Sequence, residues 1–240
     1  MKRINWQTTR LILIFFVMIF LYSFSLKRNN IRKINKIDIS FESDQNLFLT
    51  HEMVNNLLIQ SLGGTSTIQK DKLDLNTLEK VLNNHEKIDK ADVFSTIEGV
   101  IHARITQKNP VVRVISVSED YYIDSKGSRM SLSENFSARV PLVFGEINKD
   151  NTKKYLDLFN QIKNDDFLRK NITAIEILHS GNTILTIRNY DFKIEFGKPI
   201  NVEKKFKNYK AFFHYASKDT LINKYKKINL MFSQQVVCKK

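Results

Sequence analysis

Cysteine is almost missing from this chain. Among 240 residues there is one, Cys238, third from the end. An internal disulfide framework is therefore excluded, and whatever folds must be stable without one. Acidic residues are missing from the first 36 positions, which hold eight Lys and Arg. The seven glycines build no phosphate cradle: Gly63-Gly64 is followed by no Lys-Ser/Thr, and no G-x-G-x-x-G occurs. The five histidines (51, 85, 102, 179 and 214) form neither H-x-x-x-H nor H-E-x-x-H, and there is no Cys/His set with metal spacing. No G-x-S-x-G marks a serine hydrolase. Repeats and low-complexity tracts are absent.

One long apolar run is present, Leu11 to Leu26, with no charge, Pro or Gly. As a helix it spans roughly 24 Å, slightly short of a ~30 Å hydrocarbon core. Thr8 and Thr9 extend it, and Arg10 and Lys27 can snorkel to headgroups. A cleaved signal peptide is the first alternative, with Ser23 and Ser25 before a cut at Leu26, but the run is long, Phe-rich and followed at once by basic residues. A buried core helix is the second, and the lack of any polar face argues against it. The expectation is an uncleaved anchor. Its orientation stays open, because basic residues flank both ends.

The chain carries 38 basic and 25 acidic residues, net +13, and 30 against 25 beyond residue 36. That remainder is mildly basic and lacks a nucleic-acid footprint. The basic excess beside the anchor fits anionic headgroups.

After a basic linker, Ile34–Phe41 alternates as a strand. Thr50 and Asp74 read as N-caps of two short helices, with Leu49/Val54 and Leu73/Leu78 as staples. Strands at 91–97 and 100–107 follow, turning at Glu98-Gly99. Asn109-Pro110 reads as a boundary. Beyond it the pattern predicts strands at 111–117, 121–124, 139–146, 174–179, 183–188, 192–196 and 228–237. Pro141 suggests that the 139–146 segment is an edge or a strand start. Helices are expected at 153–162 and after Asn201 as cap, the latter with Val202, Phe206, Tyr209 and Phe213 inward and Lys204, Lys205, Lys207 and Lys210 outward.

Candidate chemistry is thin. Glu119, Asp120 and Asp124 are the densest acids of the strand-rich half and read as hairpin residues rather than an acid/base pair. Tyr121 and Tyr122 read as a half-buried strand pair. Cys238 reads as part of a frayed tail rather than as a nucleophile. The site search therefore returns no catalytic, cofactor-binding or metal-binding residues. What remains is a terminal strand, whose unpaired N–H and C=O groups can accept a strand from a partner.

Three stretches carry a family resemblance. Tyr121-Tyr122-Ile123-Asp124-Ser125-Lys126-Gly127 resembles the hairpin that opens the β domain of the FtsQ/DivIB cell-division proteins. Val140-Pro141-Leu142-Val143-Phe144-Gly145 and Ile228-Asn229-Leu230-Met231-Phe232 are similar to two of its strands. The upstream β-α-α-β-β order is similar to that family's POTRA domain. The tail and the Lys/Asn/Ile content resemble Bacteroidetes members. The chain departs from the family pattern at Gln107-Lys108-Asn109-Pro110 and at Asn229, where Asp is usual.

The resemblance implies an α+β chain: cytoplasmic tail 1–10, transmembrane helix 11–27, POTRA domain 34–109 and β domain 110–240. It implies a non-enzymatic inner-membrane scaffold without cofactor, its body in the periplasm at the division septum. Its implied partners are FtsB/FtsL-like single-pass proteins, with other division proteins meeting the POTRA domain or transmembrane helix, and no nucleic acid. The implied partner contacts are Leu230, Met231, Phe232, Ser233 and Gln234. A POTRA-bearing envelope-assembly or transport protein, which requires a following β-barrel, and an exported enzyme with an unrecognised site are the competing readings.

Overall fold

A computed structural model describes residues 6–30, 36–42, 48–63, 73–218, 221–232 and 234–240. The chain divides into two compact units, Met1–Gln107 and Lys108–Lys240.

The first unit opens with helix α1 (Trp6–Asn30). It is longer than the apolar run at its centre, because Thr8, Thr9 and the polar residues after Leu26 continue the same turn pattern. Twenty-five residues at 1.5 Å each reach ~37 Å, enough to cross a bilayer core. Its segment Thr9–Arg28 has a mean hydropathy of 2.1 and buries nothing against the protein. That exposure sets it apart from a core helix, and its length and composition fit a segment able to cross a membrane.

Strand β1 (Lys36–Phe41), helices α2 (His51–Ser61) and α3 (Leu75–Asn83), and strands β2 (Ile88–Ser95) and β3 (Val100–Gln107) follow. The first two residues of the expected strand, Ile34 and Asn35, lie outside the described residues, as does Gly64. Thr50 Oγ1 accepts the Met53 N–H at 3.1 Å and Asp74 Oδ1 accepts the Thr77 N–H at 3.2 Å, so both caps act as their residue types require. Strand order is β1-β3-β2, with β1 parallel and β2 antiparallel to β3. Ile101, Ala103 and Ile105 face Val54, Leu58, Leu78 and Leu82 in one core, each side chain almost wholly buried. Full burial of one such aliphatic side chain contributes about 1.5–3 kcal/mol. The Asn83 amide clasps Ala91 at both its N–H (2.9 Å) and its carbonyl (3.2 Å), tying the end of α3 to β2.

Among its described residues the second unit forms a nine-stranded sheet whose core is shared with helices. Its strands are β4 (Pro110–Val114), β5 (Tyr121–Asp124), β6 (Arg129–Ser131), β7 (Leu142–Phe144), β8 (Ile172–Ile177), β9 (Thr183–Ile187), β10 (Lys193–Gly197), β11 (Lys227–Asn229) and β12 (Val237–Lys239). They lie in the order β12-β11-β10-β9-β8-β7-β4-β5-β6. Among the described residues the end strands β12 and β6 each pair on one side only, so these strands close no barrel. Helices α4 (Lys149–Asn164), α5 (Asp166–Asn171) and α6 (Val202–Lys218) share its core, where Leu158, Phe159, Ile162, Phe206 and Tyr209 meet Val143, Ile175, Leu185, Ile194 and Phe196.

Several elements differ from the sequence reading. β4 ends before Val117: Ile115 N–H still reaches the Val143 carbonyl, but the Asp120 carboxylate then takes the Ser116 N–H and the ladder stops. β7 is central, between β4 and β8, so Pro141 marks a strand start and not an edge. Its carbonyl still accepts the Arg113 N–H at 3.0 Å. α5 was unexpected; the Asp165 side chain caps it at Leu168 N, and Leu168 is buried. Gly145, at φ 113°, ends β7 where a Cβ would stand 2.4 Å from the Ile177 carbonyl oxygen, so no side chain fits.

Lys205 is the sharpest correction. Placed outward by helical periodicity, it is 3 % exposed. Its ammonium donates to the carbonyls of Phe196 at 2.8 Å and Lys198 at 2.9 Å and lies 4.6 Å from the centre of the Phe196 ring. At the corner between β10 and α6 the lysine donates to both carbonyls, and the Ile200 N–H also donates to that of Lys198. Burial lowers its pKa, since the charged form loses water. Asn201, at φ 52°, opens α6 through its carbonyl, which accepts the Lys205 N–H.

Candidate functional site

The expected contact residues lie at the open end formed by β10, β11 and β12. β11 joins β10 in parallel, with Ile194 opposite Ile228 and Glu195 opposite Asn229. Ile194 and Ile228 are fully buried and anchor this end to the core. Lys227 Nζ reaches Glu195 Oε1 at 2.9 Å across the exposed face. The Leu230 N–H adds one more bond to the Glu195 carbonyl, also at 2.9 Å.

There the strand bends. Asn229 Oδ1 accepts the Met231 N–H at 2.8 Å, an Asx turn that supplies a partner in place of the ladder. The strand expected over 228–237 is therefore two strands, with β12 returning antiparallel so that Ile228 faces Cys238. One side of β11 is paired with β10 and the other with β12. The outer side of β12 pairs with no strand among the described residues.

This places the expected contacts individually. Leu230 is 1 % exposed and belongs to the core. Met231 and Phe232 are 46 % and 53 % exposed in the connection, and Gln234 is exposed beside them. Ser233 lies outside the described residues. Met231 leans over Gly197, where an added Cβ would stand 2.7 Å from its Cγ. Thr183 Oγ1 holds the Gly197 carbonyl at 2.9 Å, while Lys205 holds the carbonyls on either side of it. The floor beneath Met231 is thus fixed from three directions.

Sequence reasoning missed β12. Its signal was the β-branched run Val236-Val237 beside Cys238. Val236 and Cys238 pack against the core and Val237 is turned outward. Cys238 is accordingly a strand residue, half-buried, and not part of a frayed tail; burial pushes its thiol pKa up, away from nucleophilic use.

The acids of the β4–β5 region are spent on structure. Asp120 accepts from Arg113 at 2.7 Å and from Ser116 N, which together hold its carboxyl below the usual range. Asp124 is 2 % exposed and accepts the N–H groups of Lys126 and Ser128, shaping the turn that Gly127 completes. Tyr121 and Tyr122 are buried, and their hydroxyls meet the Ile147 carbonyl and the Ala138 N–H. His102 pairs with Asp38 and stacks on Phe94, and His51 meets Phe41 edge to face. Among the described residues no three His, Cys, Asp or Glu converge as metal ligands.

Compared with known proteins, residues 109–239 match the model of the family described as FtsQ/DivIB, C-terminal related. The match runs from β4 through β12. No curated protein matches the chain.

Proposed function

Since the chain belongs to the FtsQ/DivIB family of cell-division proteins, we propose that it is a membrane-anchored division scaffold that accepts a segment of an FtsB/FtsL-like single-pass partner as an added strand. The added strand lies along β12. Phe232 and Met231 offer an apolar contact beside it, and Leu230 supports them from the core. This revises the contact set by one strand: Val237, Cys238 and Lys239 provide the backbone, and the connection provides side chains. The observation that carries the reading is the open outer edge of β12, inside the region that the family model covers. Main-chain bonds along such an edge provide much of the affinity, and exposed aromatic anchors provide selectivity.

In this reading α1 holds the chain in the inner membrane and both folded units lie in the periplasm at the septum. The first unit acts as a POTRA domain toward other division proteins. Partner recruitment helps regulate septal peptidoglycan synthesis. A topology reporter fused after Lys240 should read periplasmic.

The docking test uses two prolines. N–H groups of successive strand residues point to opposite edges. Of Val237→Pro and Cys238→Pro, one removes an inward donor to β11 and the other an outward donor. The full chain, in detergent, is co-purified with the FtsB-like protein of the same cell, and its melting is recorded. The outward variant should keep its melting temperature and lose the partner. Retention of the partner by both variants would end the strand-addition reading.

A further inference from the structure

Three segments distant in sequence meet at the end of the second unit's sheet where β7 and β8 begin and β9 finishes. They enclose an open cleft of roughly 800 Å³. Its lining includes Arg139 ahead of β7, Arg169 and Lys170 in the last turn of α5, and Arg188 just past β9, with Pro141 and Ile172 as apolar wall. No acid lines it. Asp166 pairs with Arg169, and among the described residues no acid pairs with Arg139, Lys170 or Arg188. The four cations and one carboxylate leave a local charge of +3.

The surroundings do not cancel this charge. Residues 108–240 hold 24 Lys and Arg against 14 Asp and Glu, net +10, whereas residues 37–107 hold 6 against 11, net −5. Cations scattered over a convex surface are cheaply solvated. Gathered around a concavity with protein walls they focus the field, and an anion there relieves their mutual repulsion. Arg188 is also pre-set: its Nε donates to the Lys170 carbonyl at 3.1 Å and its N–H to the Asn171 carbonyl at 2.7 Å, so its side chain is held at the rim.

We propose that this cleft binds a ligand carrying a diphosphate or two phosphate groups. Three planar guanidinium forks match pairs of phosphate oxygens, a geometry a lone carboxylate uses only once. A local charge of +3 calls for about two to three negative charges, as a diphosphate carries. The volume falls within the range of small-molecule sites, and it leaves Pro141 and Ile172 to contact an uncharged portion of the ligand. A lipid headgroup and a soluble diphosphate share this chemistry. The inference does not depend on strand docking at β12.

The test titrates the full chain, in an uncharged maltoside detergent, with sodium pyrophosphate by calorimetry. Wild type should show saturable one-to-one binding. The double variant Arg139→Ala/Lys170→Ala should weaken it by about tenfold or more; neither side chain holds another group in place. Lys204→Ala/Lys207→Ala removes the same charge from the exposed side of α6 and should leave binding unchanged. Absence of saturable binding up to about 10 mM, or equal weakening by both double variants, overturns the site. A second arm replaces pyrophosphate with dihexanoyl phosphatidylinositol 4-phosphate, which carries two phosphate groups, with dihexanoyl phosphatidylcholine as blank. Tighter binding of the anionic lipid than of pyrophosphate supports a headgroup ligand, and the reverse supports a soluble one.

Discussion

Replacing Lys205 by Met removes the ammonium and keeps the length of the stem. The Phe196 carbonyl loses the ammonium donor in the interior, and the Lys198 carbonyl, nearer the surface, loses it but keeps the Ile200 N–H at 2.8 Å. A hydrogen bond to a charged group contributes about 1.5–3 kcal/mol, and a buried acceptor left unsatisfied costs about as much. Water can reach Lys198 but not Phe196, so the expected loss is about 2–3 kcal/mol. For a unit of this size that lowers the melting temperature by about 10 °C. Lys204→Met, one position earlier on the exposed side, serves as control and should move it by less than about 2 °C. Thermal unfolding of the full chain in detergent, followed by near-ultraviolet circular dichroism, reads both. Because burial depresses the lysine's folded pKa below 10.5, the unfolded chain binds more protons between the two pKa values. This group's contribution to stability therefore rises with pH as that window is crossed, and Lys205→Met should lose that rise. An unchanged or raised melting temperature in Lys205→Met would refute the reasoning, because it would mean that the cost of burying the charge exceeds what its two bonds return.

Gly145→Ala should destabilise the second unit by about 2–4 kcal/mol, measured by the same melt, because the new Cβ meets a carbonyl oxygen and the backbone is left-handed. Asn229→Ala should raise hydrogen exchange at Met231 and cost about 1 kcal/mol, while Asn229→Asp keeps the acceptor and leaves exchange near wild type. Asp120, held below the usual carboxylate range by Arg113 and Ser116, contributes stability that is present above the unfolded pKa and lost as pH falls through its folded pKa. Arg113→Leu should flatten that acid limb in a pH series of melts. An acid limb identical to wild type would show that the pair is not linked to folding.

Local signals in the sequence carried most of the fold. Thr50 and Asp74 each offer an oxygen to the N–H three residues on, so both caps were legible without any tertiary knowledge. The alternation Ile101-Ala103-Ile105 gave the buried face of β3 directly. What failed was decided by distant groups. Lys205 lies on the polar side of a helical wheel, yet a corner made by Gly197 and Lys198 presents carbonyls to it. The run after Ile228 reads as one strand until the Asn229 side chain is known to capture Met231 N–H. The basic cleft has no linear signature, because its cations stand 30 and 19 residues apart before the sheet assembles them.

The brevity of β12 bears on what the molecule avoids. An open edge is also a template for a second copy of the same chain, and long apolar edges are where fibrils and swapped dimers start. Here the ladder offered is three residues long, and Lys239 and Lys240 sit at its end. Two copies meeting edge to edge would bring these ammonium groups together, so self-pairing is opposed by like charge while an acid-bearing stranger is not.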